Sequence, residues 1–312
     1  MEALMPLPPE FHDIAKRVNN WGRWGEDDEL GTLNLVTDAV VRSAVATVRS
    51  GRRIPLALPL RQDGVQTGAI PGRINPLHTM TSVNLEMFGP DTVATSDDMV
   101  TMSLQTATHW DGLGHVSHGG RIYNGRRADT ITPHRGATFG GVEKTGPLLS
   151  RGVLLDVARA HGTDRLPGDH AVTPEDLEAA EELAGVRVGA GDIVLVRTGQ
   201  LSLWLAGEKD AYAFPSPGLS LRTPEWFHGR DVAAVATDTL TFEIFPPEVE
   251  NLWLGVHALH LVEMGMLQGQ NWNLEELSRV CAEVGRREFL LSAAPEPFAG
   301  GTGSPVAPVA VL

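Results

Sequence analysis

Cysteine is almost absent: Cys281 is the single one in 312 residues, so no internal disulfide can form and a cysteine-based zinc site would need ligands from another chain. That usage fits a reducing cytoplasm, the expected location. Long apolar runs are missing too. No stretch approaches 18 consecutive apolar residues, and the opening Met1-Glu2-Ala3-Leu4-Met5-Pro6 lacks the basic segment and apolar run of a secretory signal. Positive charge is scarce, with 25 Lys plus Arg against 39 Asp plus Glu and a net charge of -14. Such a field repels phosphate backbones and anionic headgroups. Neither nucleic acid nor a membrane is therefore expected as a partner, and a small-molecule substrate is. There is no Walker loop, G-x-S-x-G elbow or dinucleotide fingerprint, and Gly300-Gly301-Thr302-Gly303-Ser304 lacks the Lys and following helix of a phosphate loop. Nucleotide cofactors are disfavoured.

What is present suits a packed core. Hydrophobic residues make up 42%, and the 34 Gly and 21 Pro are scattered without a fixed repeat. The opening Pro6-Leu7-Pro8-Pro9 reads as extended, and residues 1–36 as an extended N-terminal arm whose Trp21 and Trp24 could pack on a neighbouring subunit or on their own core. The acidic run Glu26 to Glu29 reads as a solvated turn. Thr37 and Asp38 can cap a helix whose apolar stripe (Val40, Val41, Ala44, Val45, Val48) lasts until Gly51. Ile54 to Leu60 reads as a strand, and the Gly- and Pro-bearing stretch from Gln62 to Pro76 as a loop of the kind that often covers a site. Met99 to Gln105 alternates as a half-buried strand does. Val153 to Val157, Ile193 to Val196 and Val232 to Ala236 are buried strands by composition. Between the first two lies a helix with Thr173 as N-cap, Pro174 at its start and Gly185 at its end. A short helix starts at Thr223-Pro224, another runs from Leu252 to Met264, and Asn273 with Glu276 forms a capping box for a last helix ending near Gly285. Phe289 to Leu291 and Pro305 to Leu312 close the chain as strands. Helices and strands mix without strict alternation.

Chemistry concentrates around four of the 11 histidines. His12, His78, His118, His134, His161, His170 and His228 have no partner at a telling spacing. His109, Asp111 and His115 follow the alternating strand directly. If the chain stays extended, its two-residue period places Thr101, Ser103, Gln105, His109 and Asp111 on one face, and Gly112 and Gly114 let His115 turn back over it. Imidazole plus carboxylate suits Zn or Mn. An H-x-D pair can equally be a hydrogen bond that fixes an imidazole tautomer. His257 and His260 share one face of an apolar helix, and Asp238 and Glu243 leave the C-terminal end of a buried strand, where open sheets place functional groups.

The stretch Gln105-x-Ala107-Thr108-His109-x-Asp111-x-Leu113-x-His115 resembles the H-x-G-T-H-x-D-x-P-x-H hallmark of the cyclase-like metal hydrolases, which include bacterial kynurenine formamidase and isatin hydrolase. Thr108, His109, Asp111 and His115 match, whereas Gln105, Ala107 and Leu113 depart from it. Glu29-Leu30-Gly31-Thr32-Leu33-Asn34, Tyr123-Asn124-Gly125, Pro217-Gly218-Leu219, Asp238-Thr239 and Gly303-Ser304-Pro305 resemble a longer subfamily. The resemblance implies an α/β fold of the swivelling β/β/α type, a single compact domain over residues 1–312 with a mixed, partly barrel-like sheet and flanking helices, assembled as a homodimer or homotetramer. It implies His109 and Asp111 as metal ligands, Gln105 at the first-His position, and His257 and Gln270 as the second-half positions. His115, with Asp111, would be the acid/base. With two strong ligands replaced by amides, a single Zn2+ or Mn2+ is expected in place of two zinc ions. The implied reaction is hydrolysis of a non-peptide amide, an arylformamide or a cyclic imide or lactam, with Trp110, Phe214, Phe242, Trp253 and Glu243 contacting substrate. A metal-independent polyketide-type cyclase or dehydratase and a non-catalytic small-molecule binder are the alternatives.

Overall fold

The computed structural model describes residues 7–312; Met1 to Pro6, including the first residue of the Pro6–Pro9 stretch, lie outside the described residues. The β-branched runs form the centre of the molecule because a strand buried on both faces must be apolar throughout. Leu149–Asp156, Ile193–Arg197, Ala234–Thr237 and Leu267–Gln270 pair in parallel. Around them a nine-stranded, curled half-barrel sheet is completed in the order Arg53–Pro55, Val309–Val311, Glu288–Ser292, Leu149–Asp156, Ile193–Arg197, Ala234–Thr237, Leu267–Gln270, His109–Asp111, Gly303–Pro305. The outer members are antiparallel, and His109–Asp111 is held on both sides, by Leu267–Gln270 and by Gly303–Pro305. One face packs on the 174–184 helix and the N-terminal helix, with Val194, Val235, Leu177 and Phe11 in that core. The other packs Trp110, Trp272, Leu195 and Phe289. No helix among the described residues is long and apolar enough to cross a membrane.

Several local readings carry over. Thr173 accepts from Asp176 N and the Asp176 carboxylate accepts from Thr173 N, a complete capping box, and Gly185 ends the helix at φ 66°. Others need correction. Pro9–Val18, expected as extended arm, is a helix with Pro in its first turn and Phe11, Ile14, Ala15 and Val18 buried. Trp21 turns back on its own chain, its Nε1 donating to Val262 O at 2.7 Å. The acidic run is not simply solvated: Asp28 accepts from Tyr123 Oη (2.9 Å) and Gly31 N (2.9 Å), while Glu29 receives Gly140 N (2.7 Å) and Lys144. The Leu252–Met264 helix is shorter and wider than expected, because Leu254 adopts φ 58° and only Gly255–His257 is α before Ala258–Met264 continues as a π-helix. Leu274, not Asn273, is the N-cap of Glu275–Val284. Pro308 divides the last strand into Gly303–Pro305 and Val309–Val311.

The largest difference is the alternating segment. Its strand runs from Ala94 to Thr101 and pairs only with Leu77–Glu86, as an exposed hairpin outside the main sheet. The chain then turns, with Ala107 at φ 48°, before His109 enters the sheet. Extended backbone therefore does not connect Thr101 to Asp111.

Candidate active site

His109–Asp111 is a short strand, so its side chains alternate. Trp110 points into the core, where its ring packs edge-on against Trp272 and its Nε1 donates to Ala293 O at 2.8 Å. His109 and Asp111 point to the opposite face, both fully buried. His109 Nδ1 donates to Ala107 O at 2.9 Å; a carbonyl only accepts, so Nε2 of the neutral ring presents a lone pair. That atom has no hydrogen-bond partner, and neither has Asp111 Oδ1, 3.5 Å away. Two buried acceptors left facing each other are costly unless something positive lies between them.

Around this pair the chain assembles four more polar groups. Asp111 Oδ2 accepts from Gln270 Nε2 at 2.7 Å and Gln268 Nε2 at 3.3 Å. His257 Nε2 lies 3.8 Å from Oδ2 and 3.1 Å from Gln270 Nε2. His115 Nε2 lies 3.7 Å from Oδ1 on the other side. The Gly112–Gly114 turn that returns His115 fits tightly: a Cβ on Gly112 would sit 3.2 Å from Thr302 O and one on Gly114 3.1 Å from Ala137 Cβ. Gln105 does not extend the strand. Its amide meets Thr302 Oγ1 at 3.0 Å and His115 Nδ1 at 3.4 Å, so it braces that imidazole. Glu243 performs the same service for His257, accepting from Val256 N and His257 N at 3.1 Å each and from His257 Nδ1.

Electrostatics follow from this packing. Burial alone would raise the Asp111 carboxyl, but His115, His109 and His257 outweigh it and hold Asp111 well below the usual carboxylate range. Burial lowers His115, with His257, Arg73 and His109 adding to it against the pull of Asp111. An ionised carboxylate thus sits beside an imidazole held in its neutral form, the form that can take up a proton.

The donor set fits a divalent cation. The orphaned His109 Nε2 and Asp111 Oδ1 are a nitrogen and an oxygen ligand, and two ligands about 2.1 Å from one ion stand about 3.0–3.4 Å apart at 90–109°, close to the 3.5 Å observed. Neither atom has another task in the fold. His257 and His115 approach different oxygens of Asp111, so the four do not close into one cluster. Among the described residues the cluster whose ligand atoms all lie within 4.8 Å of one another is His161, His170 and Asp176, and the sequence reading left both of these histidines without partners. There both imidazoles meet the Asp176 carboxylate, at 2.6 and 3.0 Å, and that carboxylate already caps the 174–184 helix.

Above His115 a cavity of about 280 Å3 opens between the 69–73 loop and the 240–254 segment. His115, His257, Gln270, Glu243, Phe214 and Trp253 all line it. Phe242 does not: it is fully buried with its ring edge-on to His257 and His260. Trp110 does not reach it either, for the alternation reason given above. Sequence reasoning missed Phe245, which packs on Phe214 and Trp253 with centroids 4.5 and 5.4 Å away, and Arg73, which reaches His115. For Arg73 the only signal was its place in a loop of covering composition.

A family model described as "Putative cyclase" matches residues 34–244. Among solved structures, a crystal structure titled a novel cyclase is 34% identical, with a TM-score of 0.86 over 95% of this chain and 100% of its own. Isatin hydrolase A from Labrenzia aggregata is 22% identical, with a TM-score of 0.61 over 86% and 98%. A predicted metal-dependent hydrolase from Bacillus stearothermophilus is 18% identical, with a TM-score of 0.52 over 83% and 97%. These last two likenesses are of fold. No curated protein matches the sequence. With the family model covering more than half of the chain and a one-third-identical relative matching nearly all of it, this chain belongs to the cyclase family.

Proposed function

We propose that the protein is a metal-dependent hydrolase that opens a non-peptide C–N bond, in an arylformamide or a cyclic imide or lactam. The observation that carries this reading is the facing pair of unpartnered buried acceptors, His109 Nε2 and Asp111 Oδ1, beside a neutral imidazole in an aromatic-lined cavity. His109 and Asp111 would hold a single Zn2+ or Mn2+, with His257 and Gln270 flanking it; Gln105, at the first-His position, positions His115 instead. Such an ion, when bound, lowers the pKa of water towards about 7 and polarises a carbonyl. His115 Nε2 takes the proton from the attacking water and returns it to the leaving nitrogen. Asp111 stays ionised and offsets the charge that His115 acquires. Phe214, Phe245 and Trp253 hold the flat body of the substrate by stacking and dispersion. The isatin hydrolase likeness in fold supports a cyclic amide of this kind.

The test is turnover of N-formylanilines and cyclic imides by protein purified without added metal, with elemental analysis of the same sample. Hydrolysis that a chelator stops and Zn or Mn restores is expected. Absence of both ion and turnover overturns the proposal.

A further inference from the structure

Arg73 is the one cationic side chain other than imidazole that lines the cavity. It is half-buried, and its Nη1 donates to Gln105 O at 3.3 Å while its Nη2 lies 3.3 Å from His115 Nε2. Neither partner is anionic, and among the described residues no carboxylate oxygen lies within 4.0 Å of the guanidinium. A guanidinium offers five N–H donors in a planar fork, and two of them make long bonds here. The cavity's own carboxylate, Glu243, is spoken for by Val256 and His257. Charges drawn partly out of water are ordinarily paired, and this half-buried one has no anionic partner, at the wall of a substrate-sized cavity and next to the acid/base imidazole. The rest of that wall is apolar, with Ile70, Leu240 and Ile244 joining the aromatic rings.

We infer that Arg73 is a specificity residue that receives an anionic group of the substrate, so that the preferred substrates are aryl amides carrying a carboxylate ortho to the reacting nitrogen. This rests on the proposed hydrolase site. The ortho position follows from the 3.3 Å between Arg73 and His115: two side chains so close engage neighbouring substituents, and an ortho carboxylate carbon is only three bonds from the amide nitrogen that His115 serves. Engagement also has a consequence for His115. In the structure the guanidinium occupies its Nε2 lone pair; a substrate carboxylate that draws the fork away exposes that lone pair only when the right ligand is present.

Two measurements on the metal-loaded protein separate this inference from the function on which it rests. Calorimetric binding of benzoate against benzamide, which are not hydrolysed as anilides are, reads the anion preference alone. Wild type should favour benzoate; Arg73→Gln should reduce that preference about ten- to a hundredfold, the span of a charge-assisted hydrogen bond, and Arg73→Lys should restore part of it. Turnover of N-formylanthranilate against formanilide should show the same loss in the ratio of their kcat/KM values. If neither anilide nor a cyclic imide turns over yet benzoate preference depends on Arg73, the hydrolase reading falls and the anion site stands. If Arg73→Gln leaves the benzoate-to-benzamide ratio unchanged, the inference is wrong whatever the turnover.

Discussion

His260 offers a perturbation whose size can be worked out. It lies in the Ala258–Met264 π-helix, fully buried, with its ring edge-on to Phe227 and Phe242 and with neither ring nitrogen hydrogen-bonded. Burial, aided by His257, pushes its pKa from the ordinary 6.5 down to about 3. The unfolded chain therefore binds a proton that the native chain refuses, and stability must fall as pH drops below the unfolded value. At about pH 7.5 the contribution is negligible; at about pH 5 linkage over this shift gives a loss of roughly 2 kcal/mol from the one residue. His260→Leu removes the titrating group at similar volume and also relieves two unpartnered nitrogens. Urea unfolding of wild type and His260→Leu at both pH values isolates the term. Wild type should lose about 2 kcal/mol more than the variant between the two conditions, with the m-value unchanged. Equal losses in the two proteins would refute the reasoning, because they would mean that His260 is protonated as easily folded as unfolded.

Other consequences are as specific. His115→Ala should lower turnover of a hydrolysed amide by about 10²- to 10⁴-fold while leaving metal content unchanged, measured by steady-state kinetics and elemental analysis on one preparation. Glu243→Gln should weaken metal affinity roughly 10- to 100-fold through the misoriented His257 imidazole, read by competition with a chromogenic chelator. The 77–101 hairpin exposes Val83, Met87, Phe88 and Val93 by 60% or more, and a lone two-stranded ribbon is marginal in water. The chain is therefore expected to run as a dimer or tetramer by light scattering, and Phe88→Ser to shift it towards monomer.

How much of this was legible in the sequence depended on whether the relevant forces are local. The Thr173 cap and Gly185 stop are written within one helix, and the central strands announce themselves by apolar composition. His109 and Asp111 share a face because any strand alternates, even one of three residues. The Met99–Gln105 alternation misled because a ribbon exposed on both faces can carry the same period as a half-buried strand. Asn273 and Glu276 have the spacing of a capping box, but the backbone N of Asn273 donates to Leu56 O, which fixes the turn and leaves Leu274 as the N-cap. Arg73, and the meeting of His161 and His170 on Asp176, were hidden because they join segments that only the fold brings together.

The central claim is that His109 and Asp111 face each other across a divalent cation. Metal content of the wild-type protein and His109→Ala, grown with both Zn and Mn and measured side by side by mass spectrometry, tests it most directly. About one ion per chain in the wild type, lost in a variant that keeps its circular dichroism spectrum, is the predicted result. Equal metal content in the two proteins would contradict it.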